Sequence, residues 1–511
     1  MTTLPHADIE KLATGIPGFD HIGYGGLPKG RTTLVSGSAG TAKTVFACQF
    51  LAEGILQKQE TGVFVTFEES VEDVRRNMRG FGWDISAWEA AGHWQFVDAS
   101  RLVEPSIIDG DFDLGGLLAR IEHAVRTVNA TRVSLDSLGA IFTQFSNTAI
   151  IRAELFRIAY ALKQLGVTTV MTAERVEEYG AIARHGIEEF VADNVVILRN
   201  VLESEKRRRT IEVLKFRGTL HRKGEYPFTV LPNQGIIVIP VAEIELKQRS
   251  SSIRISSGSP ELDIMCGGGF FRDSVILVSG ATGTGKTLLA THFMAGGFAS
   301  GERGLLLAFE ESREQLFRNA SGWGIDFEAM ERENKLLVHS VYPEIAGLED
   351  HLIEIERIIK TFQPHRVAID SLSALERIGT IRGFREFVIG LTSFIKQQEI
   401  AGLYTSTTPS LLGGTSITEA HISTITDTII LLRYVELYGE MHRSITVLKM
   451  RGSMHEKNIR EFIIDSTGMH IGEPFRDISG IISGNFTQIP SEIERIRGLF
   501  NEDDTFTTPN A

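Results

Sequence analysis

The chain carries one long pattern twice, and this duplication limits its possible folds more than any other feature. Residues 31–44, RTTLVSGSAGTAKT, match residues 274–287, SVILVSGATGTGKT, with Lys43 and Lys286 separated by 243 positions. Glu68-Glu69 after Gly62-Val63-Phe64-Val65-Thr66-Phe67 match Glu310-Glu311 after Leu305-Leu306-Leu307-Ala308-Phe309. Val133-Ser134-Leu135-Asp136-Ser137 match Val367-Ala368-Ile369-Asp370-Ser371 at a spacing of 234. The same spacing carries Leu214-Lys215-Phe216-Arg217-Gly218 onto Leu448-Lys449-Met450-Arg451-Gly452. A repeat this long is a duplicated domain, not a solenoid unit of roughly 20–50 residues.

With 511 residues the chain needs at least two cores, because single cores rarely grow past ~250–300 residues. In each copy, short β-branched runs alternate with amphipathic segments such as 152–165 and 349–361. The alternation predicts an α/β fold of two tandem domains, each a mostly parallel sheet flanked by helices. We expect a first domain over 1–245, a second over 253–480 and a tail over 481–511. The join falls near 243–255, where Lys247-Gln248-Arg249-Ser250-Ser251-Ser252 interrupts the pattern.

Gly280-Ala281-Thr282-Gly283-Thr284-Gly285-Lys286-Thr287 follows the apolar run Val275-Ile276-Leu277-Val278 and leads into Leu288-Leu289-Ala290. Strand, glycine loop and helix in that order make a phosphate-binding loop in its required context. Inward-turned backbone N–H groups and the helix start hold phosphate oxygens. Lys286 supplies a cation to the β/γ-phosphates and Thr287 a hydroxyl to Mg²⁺. A dinucleotide-binding turn would not demand Lys-Thr here. The first copy, Gly37-Ser38-Ala39-Gly40-Thr41-Ala42-Lys43-Thr44, puts Lys43 and Thr44 in the same roles. It has Ala42 where the pattern wants glycine. A Cβ is tolerated there if φ is negative, so binding with altered affinity is expected. ATP and Mg²⁺ are the implied ligands of both copies.

Phosphoryl transfer depends mainly on positioning and on neutralising charge. Asp136 and Asp370 each close an apolar run and are followed by serine. An isolated Asp more often caps a helix, but recurrence after a phosphate loop points to a carboxylate beside the nucleotide's metal. Adjacent carboxylates usually form a solvated surface. Glu68-Glu69 and Glu310-Glu311, however, end apolar strands and precede helices, where a glutamate can take a proton from a nucleophile. We favour Glu68 and Glu310 as bases, with Glu69 and Glu311 assisting and Glu310 also a candidate for the metal shell. Lys215/Arg217 and Lys449/Arg451 lie on alternate positions of a late strand and so share a face. Exposed cations would be the bland reading for one copy. Recurrence suggests a finger reaching the γ-phosphate of an adjacent subunit, in a contact that closes into a ring.

The net charge of −13 argues against nucleic acid as the main partner. Lys206-Arg207-Arg208-Arg209 is the best support for the rival reading, a nucleic-acid-dependent motor. A non-catalytic scaffold is a second rival, which two complete sets of motifs disfavour. Only Cys48 and Cys266 occur, giving no disulfide framework. No apolar stretch approaches a membrane span, and the first residues lack a signal-peptide design. A cytoplasmic location is the expectation.

Together the halves resemble the KaiC family of clock ATPases and autokinases. The likeness rests on GGFFRDSVILVSGATGTGKT, EYPF, DNVVILRNVLE, CGGG, AGLEDHL and HISTITDTIILL, between about Thr14 and Gly484. It implies two RecA-like domains in a double-ring homohexamer, with Ser423 and Thr424 as the autophosphorylated pair. At the 234 spacing, Ser423 and Thr424 fall on Glu189 and Phe190. The first copy therefore offers no hydroxyl there, and water is its evident nucleophile. Where the family reads S-I-T-D-S-H-I-S-T, this chain has Ser416-Ile417-Thr418-Glu419-Ala420-His421-Ile422-Ser423-Thr424, which leaves an accessory role for Thr418 open. Asp111-Phe112-Asp113-Leu114 resembles the family's first-ring KaiB segment. The divergent tail after Gly484 leaves KaiA control open.

Overall fold

A computed structural model describes residues 9–100, 114–142, 148–183, 191–203, 206–239, 250–408, 422–437, 439–476, 478–479, 481 and 487–488. Residues 111–113 of the expected KaiB segment, Glu189, Phe190, Thr418, Glu419 and most of the 481–511 tail lie outside them. The chain forms two compact units, Met1–Glu243 and Ile244–Ala511.

In the first unit the main elements are β1 (Thr32–Gly37), α1 (Lys43–Lys58), β2 (Gly62–Thr66), α2 (Val71–Met78), β3 (Trp94–Asp98) and α3 (Leu114–Val128). They continue as β4 (Arg132–Asp136), α4 (Thr148–Gln164), β5 (Thr168–Glu174), β6 (Asn194–Glu203), β7 (Lys206–Phe216), β8 (Glu225–Leu231) and β9 (Gly235–Val238). These strands make one nine-stranded sheet in the order β9-β8-β7-β6-β1-β5-β4-β2-β3. Strands β3 to β6 in that order pair in parallel, while β7, β8 and β9 extend the sheet antiparallel.

The second unit repeats the plan with β10 (Val275–Gly280), α5 (Lys286–Ala299), β11 (Gly304–Ala308), α6 (Arg313–Gly322), β12 (Leu336–Ser340) and α7 (Leu348–Phe362). It ends with β13 (Arg366–Asp370), α8 (Ile381–Gln397), β14 (Ala401–Thr407), β15 (Thr428–Leu437), β16 (Glu440–Met450), β17 (Arg460–Asp465) and β18 (Gly468–Pro474). Its sheet order is β12-β11-β13-β14-β10-β15-β16-β17-β18. The expected fold class is the one observed.

The centre of each sheet is apolar on both faces because helices cover both. Every residue of β1, β2, β10 and β11 is buried, which is why these runs show little polar alternation. Phe46, Phe50 and Leu51 of α1, and Leu289, Phe293 and Met294 of α5, pack into the adjoining cores. Serine starts the helices that follow the acidic pairs. Ser70 accepts the Asp73 N–H, and Ser312 forms a reciprocal capping box with Gln315. The sequence Glu-Glu-Ser thus ends a strand, leaves two carboxylates at its tip and begins a helix.

One polar position on the phosphate-loop helix ties down the antiparallel extension in both units. In the first, Gln49 accepts the Ile236 N–H at 2.7 Å and donates to the Ile236 carbonyl at 3.1 Å. In the second, His292 Nε2 accepts the Met469 N–H at 3.2 Å. Burial pushes His292 below its usual value of 6.5, so the unfolded chain takes up this proton first. Its contribution to stability is then full above about pH 6.5 and falls as pH drops below it. His292→Gln should therefore make the loss of thermal stability between about pH 7 and pH 5 shallower than in the parent chain, as followed by unfolding scans across that range.

Candidate nucleotide site

The two glycine loops close in the same shape. Lys43 Nζ donates to the Gly37 and Ser38 carbonyls at 2.9 Å each, and Lys286 Nζ to those of Gly280 and Ala281 at 2.9 Å each. Thr41 and Thr284 hydroxyls close the loops onto the Ser38 and Ala281 carbonyls at 2.8 Å. Burial lowers both lysine pKa values. Glu174 and Asp136 oppose the shift at Lys43, as do Asp370 and Glu310 at Lys286. The second loop opens into a cavity of about 350 Å³ whose walls include Glu310, Glu311, Asp370, Trp323 and Ile464.

The central strands bring the predicted metal-side groups together. Thr287 Oγ1 donates to Asp370 Oδ2 at 2.6 Å, and Thr405 of β14 holds the other carboxylate oxygen. In the first unit Asp136 is bonded by Thr172 and Thr44. Burial raises the pKa of Asp136, which these two hydroxyls oppose. A hydroxyl and a carboxylate side by side form a hard-oxygen donor set, which suits Mg²⁺ completed by phosphate and water.

Each acidic pair is divided between two holders. Glu68 accepts from Ser137 at 2.5 Å, and Glu310 from Ser371 at 3.0 Å. Glu69 accepts from Asn77 at 3.2 Å, and Glu311 from Asn319 at 3.0 Å. Burial, followed by the charges of Asp136 and Asp370, raises the pKa of Glu69 and Glu311. Glu310 also pairs with Arg377 at 2.7 Å, so each of its two oxygens has a partner. The holders were missed in the sequence, although Asn77 and Asn319 recur at equivalent places in both copies and could have been found. Arg377 could not, since the matching residue is Thr143.

Ala42 departs from expectation. It adopts φ 68° in the left-handed region, as Gly285 does at φ 100°. The condition of a negative φ is not met, because the turn from loop into helix requires this conformation in both copies. An alanine there costs about 1 kcal/mol relative to glycine.

The basic pairs sit at the other end of each sheet. Lys449 Nζ donates to the Thr426 carbonyl at 2.7 Å and Arg451 to the Thr424 carbonyl at 2.8 Å. Lys215 makes the matching contact to the Ala192 carbonyl at 3.2 Å, and Arg217 meets Asp193 at 3.3 Å as Arg451 meets Asp427 at 3.8 Å. Asp427 is level with Val275, exchanging bonds of 2.9 Å with it in both directions. Gly280 lies five residues further along β10, so roughly 17 Å of strand separates these groups from their own phosphate loop. Thr424 is exposed in the short turn Ile422–Thr424, and the side chain of Ser423 lies outside the described residues. In the run Lys206-Arg207-Arg208-Arg209, Arg207 donates to the Asn200 carbonyl at 2.8 Å and Arg209 to the Gly40 carbonyl at 3.4 Å. Arg443 makes the same bond to Gly283 at 3.4 Å, so part of this basic run braces the phosphate loop.

A family model described as the KaiC ATPase matches residues 12–243 and again 255–475. The chain belongs to the KaiC family. It is 67% identical over 496 residues to the circadian clock protein KaiC3 of Synechocystis sp., covering 97% of this chain and 98% of that one. It is 58% identical over 483 residues to the circadian clock oscillator protein KaiC of Thermostichus vulcanus, covering 94% and 93%. With the KaiC of Synechococcus elongatus it shares 56% over 499 residues, covering 97% and 96%. KaiC matches thus span both units and both phosphate loops.

Ala42→Gly should raise the free energy of unfolding of the first unit by about 1 kcal/mol. Gly285→Ala should lower that of the second by at least as much, because its Cβ would also lie 3.0 Å from Ile464 Cδ1. Denaturant titration of each variant measures both signs.

Proposed function

We propose that the chain is a clock-type ATPase and serine/threonine autokinase, with water the nucleophile in the first unit and Ser423 and Thr424 the acceptors in the second. The observation that carries this reading is the separation of parts within one chain. Phosphate loop, aspartate and glutamates lie at one end of each sheet, and the cations and Thr424 at the other. A site complete in all its parts then requires a second copy, which supports a ring in which each chain serves its neighbour. The homohexamer of the family fits this requirement.

The residues fit a magnesium nucleotide as substrate. Backbone N–H groups of 37–44 and 280–287 hold the phosphates, and Lys43 and Lys286 neutralise them. Thr44 with Asp136, and Thr287 with Asp370, would hold Mg²⁺, which when bound neutralises charge on the β- and γ-phosphates. Glu68 and Glu310 are the proposed bases, oriented by Ser137 and Ser371. In the second unit the hydroxyl oxygen of Ser423 or Thr424 attacks the γ-phosphorus and its proton passes to Glu310. The bond to the β,γ-bridging oxygen breaks and ADP leaves. Lys215/Arg217 and Lys449/Arg451 of the adjacent chain would meet the transferring group, an arrangement that contributes ~10³–10⁵ in rate elsewhere.

The bonds of Arg207 and Arg209 to their own unit give the nucleic-acid reading no support. A KaiB-like partner at Asp111–Leu114 remains part of the proposal, and KaiA control stays open on the tail's divergence. Among the described residues no helix is long and apolar enough to cross a membrane, and a cytoplasmic location is proposed on the sequence.

Incubating the chain with Mg-ATP and mapping phosphosites tests the assignment. Label is expected on Ser423 and Thr424, and Ser423→Ala/Thr424→Ala should abolish it while phosphate release by the first unit continues. Undiminished labelling of that double variant would refute the sites.

A further inference from the structure

The first phosphate loop has a tether that its counterpart cannot form. Ser38 is the hub of that loop. Its carbonyl receives both Lys43 and Thr41, at 2.9 and 2.8 Å, and its hydroxyl donates to Glu178 Oε1. The other oxygen of Glu178 accepts the Asn200 N–H at 3.0 Å. Glu178 belongs to the loop after β5, which is itself firmly held. The Arg175 N–H donates to the Gly37 carbonyl at 3.1 Å, and Arg175 Nε to the Ala181 carbonyl at 3.0 Å. Arg199 Nε donates to the Glu178 carbonyl at 3.2 Å, while the same guanidinium pairs with Glu212 and Glu225 at 2.7 Å each. A half-buried carboxylate on a braced loop thus bridges the phosphate loop to β6.

The second copy has Ala281 at the position of Ser38 and, counted from the matched pair Arg175 and Thr408, Leu411 at that of Glu178. It has neither the hydroxyl nor the carboxylate. It also has Gly285, which takes a positive φ freely, where the first copy forces Ala42 to φ 68°. Strain and tether therefore occur together in the first loop, where the second has Gly285 in place of Ala42 and Ala281 in place of Ser38.

We propose that Glu178 is a positioning residue of the first phosphate loop, tying Ser38 to the Asn200 amide and holding the loop in the shape that Ala42 strains. This rests on the reading of the first unit as a nucleotide site, and it explains how that site tolerates a departure from the glycine pattern. The tether acts on the loop before nucleotide arrives. Its negative charge is already committed to two donors.

Hydrogen exchange of the amides in 38–43, measured in the full chain, reads this loop separately from the second site. In Glu178→Ala, protection of these amides without nucleotide should fall about tenfold, and the Mg-ADP concentration giving half-maximal protection should rise about tenfold, as expected for losing a charge-assisted bond. Ser38→Ala should do the same. Glu178→Gln, which keeps one accepting oxygen, should lie between. Adding Ala42→Gly to Glu178→Ala should recover most of both losses, a coupling that general destabilisation would not produce. Unchanged protection in Glu178→Ala, tighter Mg-ADP binding, or an equal loss with Gly at position 42 would each overturn the proposal. A parent loop that Mg-ADP never protects would overturn instead the nucleotide reading of the first unit, and the nucleotide-free comparison would still judge the tether.

Discussion

The length of a central strand governs how this protein is arranged. Parallel strands carry all their C-terminal tips to one end of a sheet, so the phosphate loop, the proposed metal-side aspartate and the acidic pair gather there. The antiparallel strand that follows returns the chain to the opposite end, placing Lys449 and Arg451 beside Asp427, Val275 and the turn that ends at Thr424. Roughly 17 Å of β10 lies between the two groups. No side-chain rotation spans that distance, so on the proposed reading each unit supplies half of two sites.

Duplication then allows the copies to diverge without a new fold. Both keep the lysine, the threonine–aspartate contact, the serine that orients the first glutamate and the asparagine that holds the second. They differ in the groups around that set. Among the described residues, Arg377 braces Glu310 in the second unit, and Ser38 and Glu178 brace the phosphate loop in the first. The proposed acceptors Ser423 and Thr424 stand where the first copy has Glu189 and Phe190. On this account, what approaches the terminal phosphate distinguishes an ATPase from an autokinase. On the same account the machinery proposed to grip the nucleotide is common to both.

Much of this was legible in the sequence because its signals are local. A glycine loop between strand and helix, an Asp-Ser after an apolar run and Glu-Glu-Ser at a strand tip each fix their own surroundings within a few residues. Contacts that depend on topology were not legible. The pairing of Glu310 with Arg377 spans 67 positions and that of Ser38 with Glu178 spans 140, with no motif to announce either. The conformation of Ala42 was misjudged for a related reason. A single sequence shows that alanine is present, but the backbone at that point is set by the helix it must enter.

Complementation between two inactive chains tests the division of each site most directly. One chain carries Ser423→Ala/Thr424→Ala with its glutamates intact, and the other carries Glu310→Gln with both acceptors intact. Mixed and allowed to exchange subunits in Mg-ATP, they should regain phosphorylation, with all label on the Glu310→Gln chain. If the mixture stays unlabelled while mixed assemblies demonstrably form, each chain must serve its own acceptors, and the account of shared sites is contradicted.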